Sequence, residues 1–278
     1  MNALTPFACS VHTHSTLCDG ADTPETMAAA ACAAGVQYFG FSGHSATPSP
    51  ADAGTTLPAD LTEYRKTVLA LREAYAGRME ILLGIEQDSQ TQEAVPEGLD
   101  YWIGSVHNLF DAESGKYYAV DWKEEFLAAC CIEQFHGSFP ALVNQYYTDV
   151  ASMAVQKPTI LGHIDLITKL NGDGALFDEE DRHYRGAALD ALHAVDPDAT
   201  LLEINTGAMC GGHRKSPYPA QFLLQEWKRM GGRVILTADA HSAKTVTYGY
   251  GMAAEAARAA GFSETTLLTA HGQLTCAL

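Results

Sequence analysis

The chain has 278 residues, 47% hydrophobic and 18% charged, which suits a globular protein with room for a sizeable core. A formal charge of −17 argues against a nucleic-acid partner, because nonspecific binding to the phosphate backbone relies on Lys and Arg; a small phosphorylated substrate in a cation-lined cleft stays compatible with it. The sequence has no basic-then-apolar leader, no run approaching the roughly 18–20 apolar residues of a membrane span, and an odd, scattered set of cysteines. A cytoplasmic protein with reduced thiols and no membrane association is therefore expected.

The first apolar run, FACSV (7–11), is expected to be a strand, and it leads into His12 and His14. At i and i+2 of an extended segment the two imidazoles point to one side. TPETMAAAACAAG follows, with Thr23 as N-cap, Pro24 in the first turn and Gly35 as the stop. VQYFGFS (36–42) is the second expected strand, and after a Pro-, Ser- and Gly-rich loop (46–58), DLTEYRKTVLALREAYAG (60–77) has the period of an amphipathic helix. MEILLGIE (79–86) and DYWIGSVH (100–107) give strands three and four. Two or more helices are expected over roughly 121–157, and a helical insertion around 108–157 is a candidate lid. PTILGHID (158–165), ATLLEIN (199–205) and RVILTADAH (233–241) complete seven strands, before a last helix (GMAAEAARAAGF) and a short apolar tail. Strands alternating with helices imply a parallel sheet with right-handed crossovers. Seven units without a linker imply one barrel-like α/β domain over 1–278.

Six of the eleven histidines fall at or just past strand ends: His12, His14, His44, His107, His163 and His241. Glu86 ends the third strand, and Asp239 precedes His241 by two residues, repeating the geometry of the first pair. In a parallel barrel all these ends open on one face, so the eight side chains converge. Imidazole with carboxylate suits zinc, iron or manganese better than calcium or magnesium. Eight ligands exceed one tetrahedral catalytic site, which points to two or three divalent ions bridged by a carboxylate. Asp19 is a further ligand, a partner for a cationic part of the substrate, or a turn residue. The loop GAMCGGHRKSPYP carries His213, Arg214 and Lys215 and is either a phosphate clamp or a solvated turn. Lys169, six residues past His163, is a candidate for the same cleft. His136, His183, His193 and His271 fall in helical or tail segments and are expected to play no catalytic part.

These segments, in this order, resemble the polymerase and histidinol phosphatase (PHP) superfamily: HTH, SGH ending at His44, GIE at Glu86, SVH at His107, GHID around His163 and ADAH at His241. The resemblance covers essentially the whole chain and implies a distorted (β/α)7, TIM-like barrel with its metals at the C-terminal face of the strands. HTHSTLCDGADTPE, GKYYAVDW, GHIDLITKLN and the tail from INTG through RKSPYP to TADAHSA are most similar to the histidinol-phosphatase branch. That branch implies a small phosphorylated substrate, L-histidinol phosphate, with Lys169, Arg214 and Lys215 on the phosphate side. It also implies Glu86, Asp239 and His241 as catalytic groups around a metal-bridged hydroxide that attacks phosphorus. Another small phosphate or a nucleotide is the alternative substrate, and the oligomeric state is left open. In some members a further histidine follows the first HxH; here that stretch reads Cys18, Asp19, Gly20.

Overall fold

In the computed structural model, which describes residues 4–278, strands and helices alternate along the chain. β1 (Cys9–Ser10), α1 (Pro24–Ala33), β2 (Tyr38–Phe41), α2 (Thr62–Ala74), β3 (Glu80–Leu83), β4 (Glu86–Asp88) and β5 (Ile103–Ser105) form the first half. β6 (Asn108–Asp111), β7 (Lys116–Ala119), α3 (Glu124–Glu133) and α4 (Phe139–Ala154) follow. The second half holds β8 (Ile160–Leu161), α5 (Arg182–His193), β9 (Leu201–Asn205), α6 (Gly207–Cys210), α7 (Gln221–Arg229) and β10 (Arg233–Thr237). α8 (Tyr250–Ala259), β11 (Glu264–Thr269) and β12 (Gly272–Ala277) end the chain.

β1, β2 and β3 pair in parallel in that order, and a second parallel sheet runs β10-β9-β8-β5-β4. The sheets touch in two places. Thr13 pairs with Ala240, where the His14 N–H donates to the Ala240 carbonyl at 2.9 Å and the Ala240 N–H to the His12 carbonyl at 3.0 Å. His44 pairs with Glu86, where the Ser45 N–H donates to the Glu86 carbonyl at 2.8 Å. The expected third strand is present but divided, with Gly84 and Ile85 separating β3 from β4 as the run passes from one sheet to the other.

Alternation along the strands decides what each face carries. Val11, Leu82, Ile103, Ile160, Leu201 and Ile235 pack in one cluster with Leu267, Leu268 and Cys276 of the antiparallel β11–β12 hairpin, which is what the apolar tail becomes. Leu202, Ile204, Val234 and Leu236 point the other way, into a cluster with Tyr146, Tyr147 and Trp227 of the helices. Tyr101 fills the space beneath the site: its hydroxyl lies 2.5 Å from the Val11 carbonyl and 3.1 Å from that of Phe41. A Cβ at Gly40 or Gly84 would stand 2.4 or 2.3 Å from Tyr101, so both positions are held to glycine. Toward the strand ends the same inward face turns polar, with Ser105, Glu203, Asn205 and Thr237 all buried.

α1 starts as expected, with the Thr23 hydroxyl accepting the Thr26 N–H at 3.3 Å and Pro24 in the first turn; Gly35 follows with φ +83°. The insertion differs from a purely helical one. Residues 108–119 form the antiparallel β6–β7 hairpin, because Leu109 and Tyr118 pair on a buried face and Asp111 caps the turn by accepting from the Glu113 N–H at 3.0 Å and the Ser114 hydroxyl at 2.5 Å. Helices α3 and α4 then follow as expected. All seven cysteines are free thiols, and among the described residues no helix is long and apolar enough to cross a membrane.

Candidate metal centre

The strand ends bring all eight expected donors together, and Asp19 with them. Glu86 is the hub. Its Oε2 lies 3.2 Å from His12 Nε2, 3.4 Å from His14 Nε2 and 3.0 Å from His44 Nδ1. Its Oε1 lies 3.1 Å from His163 Nε2 and 3.3 Å from His107 Nε2, and accepts the Ser105 hydroxyl at 2.7 Å. Asp239 Oδ1 stands 3.4 Å from His12 Nε2 and 3.3 Å from His14 Nε2. Asp19 reaches His14 Nδ1 at 3.2 Å, His44 Nε2 at 3.5 Å and His241 Nε2 at 3.0 Å. Asp239 adopts φ +48°, a left-handed conformation that a non-glycine residue holds only where its surroundings impose it. Gly207 makes room for it, since a Cβ there would lie 2.8 Å from that of Asp239.

This donor set fits divalent cations. His12 Nε2, His14 Nε2 and Glu86 Oε2 are buried and make no hydrogen bond, although only 3.2–3.4 Å separates each imidazole nitrogen from the oxygen. Ligands of a tetrahedral ion with bonds of about 2.0–2.1 Å are spaced about 3.3 Å apart, so lone pairs facing one another at this distance suit a shared ion. Among the described residues, four overlapping sets have all their donor atoms within 4.8 Å of one another: His14, Asp19, His44 and His241; His12, His163 and Asp239; His12, His14 and Glu86; and His44, Glu86 and His107.

The electrostatics agree. Burial alone would lower the His12 pKa, yet the carboxylates of Asp239, Glu203 and Glu86 hold it well above the ordinary value. His14 and His107 are likewise raised against their burial, by Asp19 and Asp239 in one case and by Glu86 and Asp88 in the other; His44 is pushed up to about 9. Burial would raise Glu86 and Asp239, but the surrounding imidazoles keep both well below the carboxylate range. The field that draws protons onto these rings is the field that draws a cation, which replaces the protons on binding.

A cavity of about 550 Å³ opens at the centre, lined by Asp19, His44, His107, His163, Asp239 and His241 and also by Lys169, Asp121, Trp122 and Tyr218 among others. Lys169 Nζ donates to Asp121 Oδ2 at 2.8 Å. Arg214 and Lys215 are not brought to this cavity. They line an adjoining cavity with Glu179, and His213 borders both cavities. The Arg214 guanidinium sits over the Tyr218 ring, 5.4 Å from its centroid, and donates to the Thr168 carbonyl and the Glu179 carboxylate at 3.4 Å. Of the histidines set aside, His193 pairs with Glu226 at 2.5 Å, away from the centre. Two carboxylates next to the centre went unnoticed in the sequence. Asp88 lies at i+2 from Glu86, the spacing already singled out for His12 and His14, and Glu203 is the one charged residue of the expected strand ATLLEIN.

The PHP domain family matches residues 10–207. The histidinol-phosphatase of Bacillus subtilis is 28% identical over 266 residues, 86% of this chain and 95% of the relative. A probable histidinol-phosphatase of Deinococcus radiodurans is 31% identical over 270 residues, 91% of this chain and 94% of the relative. Among solved structures, the histidinol phosphate phosphatase of Lactococcus lactis, crystallised with zinc, L-histidinol and phosphate, superposes with a TM-score of 0.70 at 22% identity over 95% of this chain and 98% of that one, a shared fold.

Proposed function

The chain belongs to the PHP-domain family, and from that membership we propose that it is a metal-dependent phosphate-monoester hydrolase acting on L-histidinol phosphate. The observation that carries the chemistry is the Glu86 carboxylate, within 3.4 Å of five imidazoles, with its Oε2 and the Nε2 atoms of His12 and His14 buried and unpaired, beside a cavity lined by other members of the donor set and by Lys169. The substrate follows from the curated relatives, named for that activity and matched over nearly their whole length. In this reading the two sheets, joined at Thr13–Ala240 and His44–Glu86, form one distorted seven-stranded barrel within a single domain, with the centre at its C-terminal strand ends.

His12, His14, His44, Glu86, His107, His163, Asp239, His241 and Asp19 hold two or three divalent ions of the zinc, manganese or iron type. The charge balance supports more than one ion. Three carboxylates belong to the donor set, with Asp88 and Glu203 just behind it, so a single divalent ion leaves the centre net negative and repels a phosphate, and a second offsets that charge. Bound there, the ions supply Lewis acidity and lower the pKa of a coordinated water from about 15.7 toward 7. Glu86, fixed by Ser105 and reaching donors on both of its oxygens, sets the spacing of the site. Lys169 places positive charge in the cavity, and Arg214 steadies the backbone that carries it through the Thr168 carbonyl. Asp239 is held ionised by its histidine neighbours, so it orients groups rather than donating protons. His241, at 42% the most exposed of the six side chains, stands where the donor set meets the cavity, so water admitted beside it gives the departing alkoxide its proton.

The test is a panel of phosphate esters with metal-loaded protein. L-histidinol phosphate should be turned over at a kcat/KM at least tenfold above other small monoesters and nucleotides. A nucleotide or sugar phosphate at the top of the panel would replace the substrate assignment.

A further inference from the structure

Glu203 and Asp88 stand just outside the donor set, and each is bonded to the far side of one donor ring. His12 turns Nε2 toward Glu86 and Asp239, and its other nitrogen, Nδ1, lies 2.7 Å from Glu203 Oε2. His107 turns Nε2 toward Glu86, and its Nδ1 lies 3.0 Å from Asp88 Oδ2. The other rings are held differently. His44 presents Nδ1 to Glu86, His14 has Nδ1 on Asp19, and His163 Nδ1 is buried without a hydrogen bond.

Glu203 is not free to act as a ligand itself. It is fully buried, and its two oxygens already accept four donors: Oε1 takes the His163 N–H at 2.7 Å and the Asn205 amide at 2.8 Å, while Oε2 takes His12 Nδ1 at 2.7 Å and the Thr237 hydroxyl at 2.8 Å. These donors come from the ends of four strand segments, so the carboxylate fastens them together directly under the centre. Asp88, 5% exposed, does the same on a smaller scale, adding the His107 N–H at 2.9 Å and the Gln90 N–H at 2.8 Å.

A neutral imidazole has one N–H and one lone pair, and the partner of the N–H decides which nitrogen keeps the lone pair. We propose that Glu203 and Asp88 are positioning residues of the centre: each takes the Nδ1–H of one histidine, His12 and His107 respectively, and commits that ring's Nε2 lone pair to a cation. This rests on the metal-dependent reading above, and it is tested by metal binding rather than by turnover. Glu203→Gln keeps the volume but presents an NH₂ group to donors that need an acceptor, and Asp88→Asn does so next to His107.

The experiment strips the purified protein with a chelator and titrates it with zinc, and separately with manganese, against a competing metal indicator. Circular dichroism and a thermal melt report the fold of each variant. Expected is a 10–100-fold weaker affinity for at least one ion in each variant, the range typical when a partner of a ligating histidine is lost. Thr237→Val, which removes one donor to Glu203 but leaves His12 untouched, should change affinity less than threefold. Folded Glu203→Gln and Asp88→Asn proteins that bind both metals as tightly as the parent would overturn the proposal. If Glu203→Gln does not fold, Asp88→Asn decides alone, since it sits beside the cavity outside the core cluster. A parent protein that binds neither metal would overturn the metal-dependent reading instead, and the inference with it.

Discussion

Replacing Lys169 with Met removes a positive charge from the lining of the cavity at the metal centre. A hydrogen bond from a charged lysine to a phosphate oxygen is worth about 1.5–3 kcal/mol. The loss goes further, because Lys169 Nζ sits 2.8 Å from Asp121 Oδ2, and without it that carboxylate faces the incoming phosphate. Like charges about 6 Å apart at an effective dielectric near 20 repel by roughly 3 kcal/mol, and solvent reduces this because the Lys169 and Asp121 side chains are 26% and 20% exposed. Together the two effects lower kcat/KM roughly 10²–10³-fold at about 1.4 kcal/mol per factor of ten. The double variant Lys169→Met/Asp121→Asn should recover about tenfold of that loss by removing the exposed carboxylate. The assay is the initial rate of phosphate release from L-histidinol phosphate at saturating metal, with metal content measured for each variant. A single variant within threefold of the parent, or a double variant worse than the single one, would refute the reasoning.

Glu86→Ala removes the shared donor of two of the four cation sets, so elemental analysis should find at least one ion fewer per chain, with turnover down by about 10³-fold or more. Burial pushes the Asp149 carboxyl up to about 6, so its ionised form is disfavoured in the folded state; that cost appears as pH rises from about 4 to 6 and is complete above it. Asp149→Asn should accordingly raise the melting temperature more at pH 8 than at pH 5, and equal shifts at both would reject this assignment. Gly84→Ala drives a Cβ to within 2.3 Å of the Tyr101 ring beneath the site. Overpacking of this kind costs about 1–3 kcal/mol, and a melting temperature within a degree of the parent would show that Tyr101 yields freely.

The donors were legible in the sequence because a parallel α/β fold sends its strand ends to one face, so histidines spaced far apart along the chain could be gathered by position alone. For Asp19 the sequence is compatible with a ligand, a partner for a cationic part of the substrate or a turn residue, and its contacts to His14, His44 and His241 put it beside the other donors. Glu203 was hidden by its setting. In LLEIN only the alternation that puts Leu201, Glu203 and Asn205 on the inward face separates a buried carboxylate from a solvated one, and the strand's facing is a tertiary fact. The β6–β7 hairpin was missed for a related reason, because its short strands are held by one buried pair, Leu109 and Tyr118, and by the Asp111 turn. Arg214 and Lys215 lie in a loop whose path no local pattern fixes, and it carries them into the adjoining cavity.

The most direct test is to strip the protein of metal, add zinc or manganese back in steps, and follow phosphate release from L-histidinol phosphate alongside bound metal per chain. Turnover should be absent from the stripped protein, rise only after the first equivalent, and level off at two or three ions per chain. Full turnover without metal, or none with every site filled, would contradict the assignment of Glu86 and its histidines as the catalytic centre.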